Sequence, residues 1–417
     1  MQHLRGTKDI LPNEVILWQY LYKTASQIFT LSNYHEIRTP IIESTALFNR
    51  SIGNGTDIVN KEMYNFIDQG LREITLRPEG TASIARSFIS NQLYQTHQIN
   101  KLWYLGPMFR YERPQNGRQR QFHQLGIECI GSLNPMSDVE VIRIANSILT
   151  KLGCSNYRIE INSIGNIEER SKYKEQLIKY LTPYIQDLDQ DSQQKLVTNP
   201  LKVLDSKNKR TQEILYHAPS IQQYLSNDSI THFKSVCEYL DLLEIDYNIN
   251  TNLVRGLDYY NYTAFEIKTD LLGSQNTICG GGRYDLLIQQ LGGPSTPSVG
   301  WAIGVERLLL LIKHNLNIKQ NKPCVYIAHQ GEKAKKEAWK IVSLLEEKEI
   351  SFELNLDNDS FRKQLKKANK VEAKVCIIIG ENEINTQSLT IKWLKSYKQE
   401  NINILDLSNL IIKVKNL

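Results

Sequence analysis

Several common chemistries have no footing in this 417-residue sequence. There is no GxxxxGK[ST] pattern, which excludes a P-loop nucleotide site. The six cysteines (Cys129, Cys154, Cys237, Cys279, Cys324, Cys376) are scattered and form no CxxC pair, so neither a structural zinc site nor a disulfide framework is expected. A reducing compartment suits that usage. No stretch approaches the roughly 18 apolar residues of a membrane span. The N-terminal "MQHLRGTKDILP" has no signal-peptide core. Internal repeats and low-complexity tracts are missing, as is a convincing Ser/His/Asp or Cys/His set for nucleophilic catalysis.

What remains is an ordinary globular composition, 41% hydrophobic and 23% charged, long enough for two or three domains. The formal net charge is +5. Most of the excess lies in the last quarter of the chain, from Lys322 to Leu417, where 17 Lys and Arg face 13 Asp and Glu. That surplus suits either a polyanion contact or a solvated face. Up to about residue 165 helix and strand signals alternate, and Pro40 breaks the strand-like "HEIRTPIIES". Residues 166–248 read as polar helices, a helical insertion. Strand patterns and glycine turns return over 249–318. "NLNIKQNKP" reads as a linker. From 323 to 417, buried strands alternate with helices, which predicts a small α/β domain with a mostly parallel sheet.

The most informative stretch is "FRYERPQNGRQRQFHQLGIE", Phe109 to Glu128. Arg110, Arg113, Arg118 and Arg120 lie between two strand-like segments that form a long hairpin. At period two, Leu125, Ile127 and Cys129 take a core face, and Gln124, Gly126 and Glu128 the opposite one. If the polar faces coincide, Arg110, Gln124 and Glu128 converge over an open sheet surface. Clustered guanidinium groups without metal ligands suit a phosphate-rich ligand. In "SVGWAIGVER", Gly300, Gly304 and Arg307 at i, i+4, i+7 predict one helical face, serving a flat ligand or close packing. In "CGGGRYD", Gly280–Gly282 predict a turn before a helix, able to present backbone amides to an anion.

These segments resemble class II aminoacyl-tRNA synthetases. "MFRYERPQ" with "GRQRQFHQ" resembles their motif 2, "SVGWAIGVERL" their motif 3, and the strand with Pro40 their motif 1. "LVRGLDYYNYTAFE" and "CGGGRYDLL" resemble the two signatures of histidyl-tRNA synthetases, and "RGTKDILP" and "TLRPEGTASIAR" match as well. The resemblance covers essentially the whole chain. It implies an α+β catalytic domain with an antiparallel sheet, in two parts (1–165 and 249–318) around the helical insertion (166–248). A C-terminal α/β anticodon-binding domain (323–417) would follow.

The family's activity would then be expected. L-histidine is activated with ATP and Mg2+ to histidyl-adenylate, then transferred to the 3′ end of histidine tRNA by a homodimer. That work is done in the cytoplasm, or in a plastid stroma if the gene is organellar. The resemblance places Arg110 and Arg255 at the α-phosphate, with Arg255 taking the place of a metal ion. It sets Glu112 at the adenine, Arg118 and Arg120 near the phosphates, and Gly304 and Arg307 in the ATP site with Arg307 at the γ-phosphate. Glu79, Thr81 and Gln124 would hold the α-amino group. Glu128 and Tyr260 would read the imidazole, and Tyr259 and Tyr284 would line its pocket. Gln115 would face the tRNA acceptor end, and no dedicated protein ligands would hold a metal. Ala302 stands where motif 3 often has glycine. The alternative, a non-catalytic histidine-sensing regulatory subunit of ATP phosphoribosyltransferase, usually lacks the C-terminal domain and the arginine set, both present here.

Overall fold

A computed structural model describes the chain except residues 54, 55, 57, 116, 258, 314–321, 408, 409, 411, 412 and 415–417, and the side chains of 274 and 275. It divides into two compact units, Met1–Ile318 and Lys319–Leu417. The segment read as a linker lies, through residue 321, outside the described residues.

The described strands of the first unit are β1 (His35–Glu36), β2 (Ile42–Ser44), β3 (Tyr64–Ile67), β4 (Glu73–Leu76), β5 (Asn100–Phe109), β6 (Gln121–Ile130), β7 (Tyr157–Ser163), β8 (Asn248–Ile249), β9 (Asn261–Thr269), β10 (Thr277–Arg283) and β11 (Ser298–Gly304). Eight of them form one sheet in the order β1-β5-β6-β11-β10-β9-β7-β8. The six central strands are antiparallel throughout, and the two-residue edge strands β1 and β8 pair parallel. β2, β4 and β3 make a small antiparallel sheet. Pro40 therefore falls where the chain leaves one sheet for another.

Alternation at period two gives the large sheet its two characters. Trp103, Leu125, Ile127, Cys129, Val299, Trp301, Ile303, Phe265, Ile267, Ile159 and Ile161 all point to one face and are buried in a single core. The helices Pro12–Leu31, Pro135–Lys151 and Asn227–Leu242 contribute Leu21, Phe29, Val141, Ile148, Val236 and Leu240 to the same core. Trp301 Nε1 donates to the Val141 carbonyl at 2.7 Å, which satisfies the one polar atom of a buried indole.

The other face carries small residues in cross-strand rows. Gly126 pairs with Ala302, Ala302 with Gly280, and Gly280 with Glu266. One pleat along, Glu128 pairs with Gly300, Gly300 with Gly282, and Gly282 with Ala264. The glycines let larger side chains lie against the strand backbone, Tyr104 at Gly126, Arg255 at Gly280 and Glu128 at Gly300, whereas the backbone at Gly304 stays open to a ligand. This corrects two expectations. Gly300 and Gly304 sit on a strand, not a helix, and share a face because a spacing of four is also two strand periods. Arg307 begins the helix Val305–Ile312 beyond it. Gly280–Gly282 are likewise strand, with Gly280 and Gly282 on the floor and Gly281 on the core face, not a turn before a helix.

Between β7 and β8 the chain forms the helices Ile167–Leu181, Gln190–Thr198, Lys209–Leu215 and Asn227–Leu242. Asn166 and Glu169 build a capping box at the first of them.

The second unit has β12 (Val325–His329), β13 (Phe352–Leu354), β14 (Val375–Ile379), β15 (Ser388–Trp393) and β16 (Lys398–Asn403), ordered β13-β12-β14-β15-β16. Its sheet is mixed rather than mostly parallel: β13, β12 and β14 are parallel, whereas β15 and β16 return as an antiparallel hairpin. On the helix Phe361–Lys370, Arg362, Lys366 and Lys370 are exposed, whereas Lys367 pairs with Asp357 (2.6 Å) and Asp359 (2.7 Å). No described helix is long and apolar enough to cross a membrane.

Candidate active site

The small-residue floor underlies an open cleft of about 400 Å³. Its walls bring together Glu79, Thr81, Arg110, Glu112, Arg118, Gln124, Arg255, Tyr259, Tyr260, Gly304 and Arg307, residues spread over more than two hundred positions of sequence. Ala302 contributes its methyl group to the floor.

At one end three arginines converge. Arg110 donates Nε to the Pro78 carbonyl at 2.9 Å and lies over the Phe122 ring at 5.3 Å. Arg118 Nε pairs with Glu112 at 2.9 Å. Arg307 donates to the carbonyls of Gly117 (3.1 Å) and Thr277 (3.0 Å). Burial, followed by the nearby Arg118, pulls the Arg307 pKa below its ordinary value. Three guanidinium groups held close together by backbone carbonyls and the single carboxylate of Glu112 form an anion site.

Arg255 lies farther along, against Glu266 on β9. Burial opposes its charge, but Glu266, Tyr260 and Tyr259 together outweigh that and raise the pKa. Its guanidinium lies 5.4 Å from the Tyr260 ring centre. The buried atoms Arg255 Nε, Gln124 Oε1 and Tyr104 OH have no hydrogen-bond partner, so the cleft offers polar groups to a ligand.

Beyond Arg255 the cleft ends in a carboxylate and aromatic cluster. Glu79 accepts the backbone N–H groups of Thr81 and Ala82, both at 2.7 Å, and so caps the helix Thr81–Ser90. Thr81 Oγ1 donates to Glu128 Oε1 at 2.7 Å, and the Tyr284 hydroxyl donates to Glu128 Oε2. Glu128 is therefore not on an open surface. The start of that helix and Tyr284 close over it, and it is 0% exposed. Burial pushes its carboxyl up to about 8, against the pull of both hydroxyl donors. Tyr259 and Tyr260 lie beside it with ring centres 4.6 Å apart and planes tilted at 45°, and Tyr259 meets Tyr284 edge-on at 5.7 Å.

Glu128 and Tyr284 are buried behind the cleft lining, and two further expected residues stay outside it. The Arg120 backbone N–H is bound by the Gly6 carbonyl at 2.7 Å, and its guanidinium stacks on Tyr111 at 4.0 Å, away from the cleft. Gln115 is exposed in the loop, bridged to Arg118. Conversely, Phe122, Glu266, Thr277 and Glu306 line the cleft unanticipated. Glu306 accepts the His123 backbone N–H at 2.9 Å and contacts its Nδ1 at 2.9 Å. For Glu266 a signal existed: period two in "TAFEIKT" sets Ala264, Glu266 and Lys268 on the floor face. Among the described residues no group of three or more His, Cys, Asp or Glu could hold a metal ion.

Comparison with known proteins follows the same lines. The family model for histidyl-tRNA synthetase matches residues 6–308, and an anticodon binding domain matches 324–414. A chloroplastic histidine--tRNA ligase of Gracilaria tenuistipitata var. liui is 63% identical over 96% of this chain and 95% of its own length. The histidine--tRNA ligase of Rippkaea orientalis is 50% identical over 100% and 97%. The crystal structure of apo S. aureus histidyl-tRNA synthetase superposes with a TM-score of 0.82, at 37% identity and 99% coverage of both chains. With a family model over more than half its length and near-complete coverage by relatives above 30% identity, the chain belongs to the histidyl-tRNA synthetase family.

Proposed function

We propose that the chain is a ligase that activates L-histidine with ATP and transfers it to the 3′ end of histidine tRNA. The observation that carries this is the cleft itself: a flat glycine floor, arginines at one end, and a sealed carboxylate with tyrosines at the other. A histidine carboxylate oxygen attacks the α-phosphorus, its bond to the bridging oxygen breaks, and pyrophosphate leaves. The tRNA hydroxyl then attacks the histidyl carbonyl and AMP leaves. No protein nucleophile is required. Catalysis is orientation and charge neutralisation.

In this reading Arg110 and Arg255 take the α-phosphate, and Arg307 takes the γ-phosphate, with Gly304 beneath the nucleotide. Arg118 is favoured over Arg120 as the loop cation, since it already lines the cleft. Glu112 orients the adenine, and Gln115 meets the tRNA end. Glu79, Thr81 and Gln124 hold the α-amino group, where Gln124 Oε1 lacks a partner. The imidazole N–H takes the place of a hydroxyl on Glu128, beside Tyr259, Tyr260 and Tyr284. Magnesium arrives with ATP as part of the substrate. The cleft carboxylates Glu112, Glu266 and Glu306 are each engaged, with Arg118, Arg255 and His123 respectively, which suits a metal carried on phosphates.

The division into 1–165, 166–248, 249–318 and 323–417 fits these roles, with the last segment gripping the tRNA. Exposed Ile41, Ile42, Phe66, Ile67 and Leu71 on and beside the β2-β4-β3 sheet suit a homodimer interface. The chloroplastic and cyanobacterial relatives suit work in a plastid stroma or in a cytoplasm. Charging assays with labelled histidine test the whole reading. Histidine tRNA should be acylated and other tRNAs should not, and no charging of histidine tRNA would overturn it.

A further inference from the structure

None of these roles uses Glu266, although it lines the cleft. Its Oε1 contacts Arg255 Nη1, and its Oε2 accepts from Lys268 Nζ at 3.1 Å and from Thr277 Oγ1 at 3.2 Å. Lys268 reaches on to Glu160 at 2.8 Å, Glu160 to Arg158 at 3.0 Å, and Arg158 to the exposed Asp270 at 2.9 Å. Cations and anions thus alternate from the cleft across β9 and β7 to the surface. Gly280 is the cross-strand partner of Glu266, and a Cβ there would collide with the Arg255 guanidinium. The guanidinium therefore lies over bare backbone, its Nη1 edge on Glu266 and its Nε without a partner.

We propose that Glu266 is the positioning residue for Arg255, and that Lys268 shares the charge of Glu266 so that the arginine keeps its pull on an anion. The proposal rests on the reading of Arg255 as the cation at the α-phosphate. A long side chain fixed before the ligand arrives loses no further freedom when the phosphate binds. A carboxylate serving one arginine alone would cancel its charge. Lys268 and Thr277 draw part of that carboxylate away.

The test is single-turnover formation of histidyl-adenylate by the full chain, in Arg255→Ala, Glu266→Gln, the double variant and Lys268→Met. Arg255→Ala should be slowed about a hundredfold or more. Glu266→Gln should be slowed roughly ten- to hundredfold with its histidine KM unchanged. The double variant should be no slower than Arg255→Ala, because nothing is left to position. Lys268→Met, outside the cleft, should raise the ATP KM severalfold and melt like the parent. If Arg255→Ala stays within a few-fold of the parent, the α-phosphate reading fails. If that variant is slow but Glu266→Gln is not, or if the two losses multiply, the positioning role is overturned. An unchanged ATP KM in Lys268→Met overturns the charge sharing.

Discussion

Replacing Glu128 with glutamine keeps the shape of the sealed end of the cleft and removes the carboxyl that would meet the imidazole. In the empty site that carboxyl has been pushed up to about 8 by burial. Free histidine carries an imidazole of pKa about 6.5. Between these two values the separated partners hold one proton in total, on the carboxyl. The bound pair also needs one, shared between carboxylate and ring. Binding in that window exchanges no proton with solvent. Below it binding must release a proton, and above it binding must take one up. Histidine kcat/KM should therefore follow a bell with limbs near 6.5 and 8. Glu128→Gln should keep the acid limb, which belongs to the substrate, and lose the alkaline one. It should also lower the plateau roughly ten- to hundredfold, the worth of a charge-assisted hydrogen bond of about 1.5–3 kcal/mol. Equilibrium stability gives an independent check. A carboxyl whose folded pKa is raised binds more protons folded than unfolded between about 4.3 and 8, so its presence weakens the fold as pH rises through that range. Glu128→Gln should gain stability over the parent across the same window, and denaturant melts from pH 5 to 8 measure it. An alkaline limb that survives in the glutamine variant, or an unchanged histidine kcat/KM, would refute the assignment.

Four other perturbations follow from the geometry. Asp138 is fully buried with Arg283 at 2.8 Å, which holds its carboxyl down at about 2 against the effect of burial. Asp138→Ala should cost about 1–3 kcal/mol, because the buried guanidinium loses one carboxylate but keeps Asp285 at 3.0 Å and the Ser132 carbonyl at 2.9 Å, seen as a lowered denaturation midpoint. The pair's contribution should be complete above the ordinary carboxylate pKa and vanish as pH falls toward 2. Gly300→Ala places a methyl group against the Glu128 carboxylate and the Ile127 carbonyl. With strand backbone unable to yield, histidine-dependent turnover should fall roughly five- to hundredfold at about 1–3 kcal/mol of strain, and parental kinetics would contradict the floor argument. A chain ending before residue 323 should keep pyrophosphate exchange and lose most tRNA charging. In the full chain, replacing Arg362, Lys366 and Lys370 together should flatten the salt dependence of tRNA binding.

The arginine hairpin and its buried face were legible because alternation at period two has one meaning in a long strand. The core-facing Leu125, Ile127 and Cys129 are buried as that pattern required. Gly300 and Gly304 gave the right face by the wrong period, since a spacing of four satisfies both helix and strand. Gly280–Gly282 read as a turn because glycine favours turns locally, whereas here they are strand residues with close neighbours, Arg255 at Gly280, Trp301 and Phe265 at Gly281, and Tyr260 at Gly282. The β15–β16 hairpin carries no Asn-Gly or Asp-Gly signal at its turn, so the mixed sheet of the second unit could not be read. Closure over Glu128 depends on Thr81 and Tyr284, which lie 47 and 156 residues away in sequence. Nothing local announces such a contact.

The central claim is that one cleft selects histidine and joins it to ATP. Amino-acid-dependent pyrophosphate exchange, run without tRNA across all twenty amino acids, tests it most directly. The account predicts exchange with histidine and background with the other nineteen, and exchange abolished by Arg255→Ala. Equal exchange with another amino acid, or none with histidine in a folded, ATP-binding protein, would contradict it.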